Sequence, residues 1–144
     1  MNLVVRIKKI STSALVPARS HEGDAGFDLY ADEDKVIGVL ARERVRTGIA
    51  LEIPAGFEGQ IRPRSGLAEQ FGVTVLNAPG TLDSSFRGEV EVLLINLGSQ
   101  DFDLSRGRRI AQVVFSPVLE VHFQEVADLA HSPRGPSGFG SSGR

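Results

Sequence analysis

Apolar and polar residues alternate with a period of two through most of this chain. Over residues 25–31, Phe27, Leu29 and Ala31 stand against Asp28 and Tyr30, the spacing of a half-buried strand. Residues 3–10 alternate less cleanly, with Lys8 and Arg6 among Val and Ile, which predicts an edge strand or one that pairs with another chain. Residues 32–51 break into short strands with turns at Gly38 and Gly48, and residues 57–62 continue the pattern after Pro54-Ala-Gly56. Residues 90–97 are almost continuously apolar, which predicts a strand in the middle of the core. A strand over residues 110–115 and a last one over 117–126 complete the series. Turn signals recurring roughly every eight to twelve residues point to an all-β sandwich or jelly roll.

The pattern changes in two places. Leu67, Ala68 and Phe71 fall at helical spacing before Gly72, predicting one helix of about two turns with Ser65 at its N-cap. Residues 77–89, Asn-Ala-Pro-Gly-Thr-Leu-Asp-Ser-Ser-Phe-Arg-Gly-Glu, separate two β-prone runs. They read as a hairpin with a polar tip on a stiff base. The last fourteen residues, 131–144, are dominated by Gly, Ser and Pro, the composition of a flexible arm.

Composition narrows the classes. At 144 residues the chain has room for one domain and a real core. A net charge of −2 with 24% charged residues argues against a nucleic-acid footprint, so an anionic ligand must be met by local arginines. No cysteine is present, which excludes thiolate metal sites and suits a reducing, cytoplasmic setting. The N-terminal basic residues follow and interleave with the apolar ones rather than preceding them. No apolar run approaches the roughly 18 residues of a membrane span.

Several residues then carry candidate chemistry. Asp28 is either a surface-facing acid or one aimed at a metal ion or an arginine. Arg64, with the backbone N–H groups of Gly66 and Leu67, can converge on an anion; a capped helix beside a solvated arginine explains the same segment equally well. Gln112 is a polar amide inside an apolar strand and needs hydrogen-bond partners. His21, alone in a polar loop, reads as a solvated side chain. Asp83 is by pattern an ordinary turn residue, and Arg134 and Phe139 are the two arm side chains suited to a phosphate and a base.

Five segments read together resemble the trimeric deoxyuridine triphosphate nucleotidohydrolases (dUTPases), in that family's order. They are Ala25-Gly-Phe-Asp-Leu-Tyr-Ala31, Arg62-Pro-Arg-Ser-Gly-Leu-Ala68, residues 77–89, Arg106-Gly-Arg-Arg-Ile-Ala-Gln112, and Arg134-Gly-Pro-Ser-Gly-Phe-Gly-Ser-Ser-Gly143. The resemblance implies an all-β, jelly-roll-like sandwich or barrel of the dUTPase-like β-clip type. It would have one short helix, a β domain over residues 1–130 and a C-terminal arm over 131–144 that closes over an active site. It further implies a cytoplasmic homotrimer with shared active sites, using Mg²⁺ to hydrolyse dUTP to dUMP and pyrophosphate.

By the same resemblance, Asp83 activates the attacking water and Asp28 meets the metal through water. Arg64, Ser65, Gly66, Gln112 and Arg134 hold the phosphates. Asn77, with Thr81, Leu82 and Glu91, reads the uracil edge, Phe86 packs under the deoxyribose, and Phe139 stacks on the uracil. Two positions depart from the family pattern: Phe86 stands where Tyr is usual and Ser137 where Gly is usual. The alternatives within the resemblance are a dCTP deaminase-type or bifunctional relative, and a nucleotide-binding trimer without catalysis.

Overall fold

The computed structural model describes residues 2–143; Met1 and Arg144, the outer ends of the expected domain and arm, lie outside the described residues. Ten strands and one short helix form two packed sheets and a small annex. The first sheet runs β1 (Arg6–Lys9), β4 (Arg42–Glu52), β8 (Glu89–Asn96), β6 (Val73–Val75). The second runs β2 (Gly26–Tyr30), β10 (Arg109–Pro117), β5 (Phe57–Arg62), β7 (Gly80–Leu82). Strands β3 (Lys35–Ile37) and β9 (Phe102–Leu104) pair separately, and every pairing is antiparallel. The result is a jelly-roll-like sandwich rather than a closed barrel.

The alternation seen in sequence supplies the core. Leu29, Ile37, Val45, Ile49, Val92, Leu94, Ile110 and Val113 are almost wholly buried, each contributing about 1.5–3 kcal/mol of transfer free energy. Strand β8 departs from the expected all-buried run: Val90, Val92, Leu94 and Asn96 point inward, whereas Glu89, Glu91, Leu93 and Ile95 are only half-buried. The strand has one core face; its other side is only partly covered among the described residues, in part by Arg44 and Arg46 on Glu91 and Glu89. Asn96 is completely buried and fully bonded. Its Nδ2 donates to Ile37 O (2.9 Å) and Gln100 O (2.8 Å), and its Oδ1 accepts from Gly98 N (2.9 Å).

Three local expectations need correction. Gly48 is not a turn; β4 runs through it as a bulge, with the β8 register shifting between Arg46 and Ala50. Its φ of +69° suits glycine, and a Cβ there would lie 2.8 Å from the Ala14 Cβ. Ser65 is not the N-cap. Helix α1 (Ser65–Phe71) takes Arg64 in that place, with extended backbone and no side-chain cap, because the Arg64 carbonyl accepts the first helical bond from Ala68 N (3.1 Å). Residues 117–126 form no separate strand: β10 ends at Pro117, and residues 118–143 contain neither helix nor strand. Val118, Leu119, Val121 and Phe123 are exposed there, a β-prone run without a partner strand among the described residues.

Candidate functional site

The segment-by-segment candidates gather into two clefts. The first, of about 380 Å³, is lined by Asp28, Arg64, Ser65, Gly66 and Gln112 together with Ser20, Asp24 and Arg62. Cross-strand register builds it: Gln112 on β10 sits opposite Asp28 on β2 and opposite Arg62 on β5. Register partners share a face of the sheet, so these three side chains form one polar row on the outward side.

Asp28 is the hub of that row. Only 8% exposed, its Oδ1 accepts from Arg64 Nε (3.0 Å), and its Oδ2 accepts from Arg109 Nη1 (3.4 Å) and Ser20 Oγ (3.2 Å). A nearly buried carboxylate requires such partners, and two guanidinium groups supply them. The contact also fixes Arg64, which joins β5 to α1. Gln112 pins the same junction from the other side, its Nε2 donating to Pro63 O (2.9 Å). Gly26 makes that possible, since a Cβ there would collide with the Gln112 amide oxygen. Among the described residues Arg64 uses only its Nε in this way, leaving its two terminal amino groups for a ligand.

The second cleft, of about 350 Å³, is lined by Asn77, Thr81, Leu82, Asp83, Phe86 and Glu91, with Arg44, Ile61, Glu89 and Leu93. The hairpin of residues 77–89 does more than reverse the chain. Its arms β6 and β8 pair in the first sheet, while β7 within it crosses to pair with β5 in the second. That double attachment stiffens the base on which Asp83 is presented. After Asp83 the turn closes through Phe86 N to Asp83 O (3.1 Å), and Arg87 Nη1 donates to Ser84 O (2.6 Å) and Phe86 O (2.9 Å). The Phe86 ring lies against Gly88, where a Cβ would stand 2.7 Å from Cζ. Packing, not a phenol, therefore seats this ring.

Both glutamates of the second cleft are engaged. Glu91 Oε2 accepts from Arg44 Nη1 (3.3 Å), and Glu89 accepts from Arg46 Nε (3.2 Å to Oε2) and Gly48 N (2.9 Å to Oε1). The Glu89 contact holds the exposed Arg46 guanidinium above its usual pKa. The Asp83 side chain, by contrast, makes no hydrogen bond to any described residue.

Not every expected residue joins these clefts. Arg134 Nε donates to Ser137 O (2.9 Å) within the tail, and Phe139 is fully exposed with a positive φ of 50°. Neither lines a cleft of its own chain. His21 is exposed, as expected of a solvated loop residue. Sequence reasoning missed Ser20, Arg62, Arg109, Arg44 and Glu89, which come to the clefts through strand register or long-range pairing. The visible signals were the doubled arginine before Ile110 and the places of Arg62 and Glu89 at the ends of two of the five segments.

Among the described residues no group of three or more His, Asp or Glu side chains could hold a metal ion. With both Asp28 oxygens occupied by arginines, direct coordination by that residue does not fit; a hydrated ion carried on phosphates and met through water does. No helix among the described residues is long and apolar enough to cross a membrane.

Comparison with known proteins places this architecture. The dUTPase of Staphylococcus bacteriophage 80alpha, solved with dUPNHPP, superposes with a TM-score of 0.91 at 25% identity, covering 98% of this chain and 99% of that one. The fold is thus that of the dUTPase-like β-sandwiches. In sequence, the deoxyuridine 5'-triphosphate nucleotidohydrolase of Clostridium acetobutylicum is 50% identical over 139 residues, covering 96% of each chain. That of Helicobacter hepaticus is 52% identical, covering 96% of this chain and 88% of its own. The dUTPase family model matches residues 12–143, and the chain belongs to that family.

Proposed function

We propose that this chain hydrolyses dUTP to dUMP and pyrophosphate by water attack on the α-phosphorus, with the Asp83 carboxylate as the general base that orients and activates the water. What carries the reading is family membership across residues 12–143, a span that takes in all five segments. A triphosphate offers a phosphorus shielded by negative charge, so catalysis reduces to positioning a nucleophile and neutralising charge. Arg64, Ser65, Gly66 and Gln112 hold the phosphates, with Arg64 aimed by Asp28. The Asp83 carboxylate, bonded to nothing else among the described residues, is available to orient water.

Asn77 reads the uracil edge with the backbone around Thr81, Leu82 and Glu91, and Phe86 packs against the deoxyribose. A pocket of this kind excludes thymine by leaving no room at C5 and cytosine by its donor pattern. Mg²⁺ fits as a hydrated ion on the phosphates, met through water by Asp28, where it would supply charge neutralisation.

The working unit in this reading is a cytoplasmic homotrimer: a β domain over residues 1–130 and an arm over 131–144 that brings Arg134 and Phe139 to a neighbour's site. Three features support it. The two clefts share no lining residue, the arm reaches neither, and the run of residues 118–126 exposes apolar side chains. A deaminase would require an unengaged glutamate beside a water, and both glutamates of the base cleft are held by arginines.

The test is pyrophosphate release from dUTP with Mg²⁺, compared with ammonia release from dCTP. Wild type is expected to give the first and not the second. Asp83→Asn is expected to lose about 10²–10⁴-fold in turnover while still binding a non-hydrolysable dUTP analogue. Absence of pyrophosphate from wild type, or undiminished turnover in Asp83→Asn, would refute the proposal.

A further inference from the structure

We propose that Arg62 is a further substrate-binding residue, whose guanidinium grips the phosphates beyond the α position, the pair that leaves as pyrophosphate. The inference rests on the dUTP-hydrolysis reading and extends it to a residue that stands outside the set of phosphate ligands named above. Strand β5 turns Gly59 and Ile61 inward and Glu58, Gln60 and Arg62 outward, the period-two consequence of the pleat. Register then puts Arg62 beside Gln112, in the same row as Asp28. If Gln112 serves the α-phosphate, a guanidinium one strand further along meets the phosphates that follow.

Charge gives the reason for a cation here. The charged residues lining this cleft are Asp24 and Asp28 against Arg62 and Arg64, a balance of zero that becomes negative if Arg62 is removed. Arg64 and Arg109 are both engaged with Asp28. Arg62 has no carboxylate partner among the described residues. Its Nη2 and Nε instead donate to the neutral Gln60 Oε1 (2.7 and 3.3 Å), and Gln60 Nε2 donates to Glu58 Oε1 (2.7 Å). The amide holds the guanidinium in place without cancelling its charge, so part of the ordering cost is met before substrate arrives. Arg62 Nη1 has no partner among the described residues and remains for a phosphate oxygen.

The experiment compares calorimetric affinities for the non-hydrolysable imido analogue of dUTP and for dUMP, both with Mg²⁺, in wild type, Arg62→Gln and Arg62→Lys. Sedimentation and melting confirm that each variant keeps the wild-type assembly. Arg62→Gln is expected to weaken the triphosphate analogue about 10- to 100-fold, the loss of a charge-assisted contact, and to leave dUMP affinity unchanged. Arg62→Lys is expected to recover part of the loss, since it keeps the charge but not the fork. Gln60→Leu, which releases the guanidinium, is expected to fall between wild type and Arg62→Gln. Equal weakening of both ligands would reveal a scaffold role and overturn the proposal, as would unchanged affinity for the analogue. Wild-type protein that binds neither nucleotide would instead overturn the parent reading along with this one.

Discussion

Leu94 and Phe123 are both large apolar side chains in β-prone runs, yet the first is completely buried and the second almost completely exposed. The same contrast divides the arginines: Arg64 is tied to Asp28 across 36 positions of sequence, whereas Arg134 bonds only to Ser137 in its own tail. In residues 6–117 every strand finds a neighbour, and no buried side-chain polar atom among the described residues lacks a hydrogen-bond partner. Beyond Pro117 the chain keeps the residue types of a strand and finds none. Burial and ordering here are set by partner availability, not by local preference. The body satisfies its own strands and polar groups, and the tail leaves Arg134 and Phe139, the side chains proposed above to serve a neighbour's site, without a contact to that body.

That division can be broken most directly by removing the tail. A chain ending at Pro133 is expected to lose on the order of 10³-fold in turnover, the scale of a lost phosphate-binding arginine, with its melting temperature unchanged. A fall in melting temperature would show that the arm belongs to the packed body. The opposite experiment attacks the body: Asn96→Ala strips the partners from Ile37 O, Gln100 O and Gly98 N, and is expected to cost about 3–5 kcal/mol in denaturant unfolding.

A smaller, pH-dependent effect is expected at Asp32, where the body fastens its own N-terminal connector. Asp32 accepts hydrogen bonds from Ser11 Oγ and from Ser13 Oγ (2.7 Å). Those hydroxyls, helped by the charges of Arg106 and Arg46, hold its carboxyl below the usual range against the opposing effect of burial. The native state therefore binds fewer protons than the unfolded chain once the pH drops toward the unfolded value of about 3.9. Above that value the contribution is complete, and it is lost as pH falls on through the lower folded value. Asp32→Asn is expected to be less stable than wild type by about 1–2 kcal/mol at pH 7, the gap closing as the pH drops below about 4. A gap that stays constant at low pH would remove the ionised carboxylate from the explanation.

How much of this could be read from the residues depends on the range of the interaction. Strands β2 and β5 were legible because Phe27-Asp-Leu-Tyr and Phe57 to Arg62 alternate by themselves, and the hairpin was legible from Pro79-Gly80. Gly48 misled because a glycine between β-branched residues marks a bulge as readily as a turn. Ser65 misled because cap preference is a side-chain statistic, while the observed cap follows from the backbone of Arg64. The candidate phosphate residues were legible as family segments, but their assembly was not: Asp28, Gln112 and Arg62 share a row only through the register of three strands. Asn96 likewise looks like the end of an apolar run; two of its bonds reach only to Gly98 and Gln100 in the turn that follows, and the third depends on Ile37, 59 positions away.

The central claim, that water attacks the innermost phosphorus, is tested by turnover of dUTP in ¹⁸O-labelled water followed by mass spectrometry of both products. The account predicts a single labelled oxygen in dUMP and none in pyrophosphate. Label in pyrophosphate, or release of orthophosphate in its place, would contradict it.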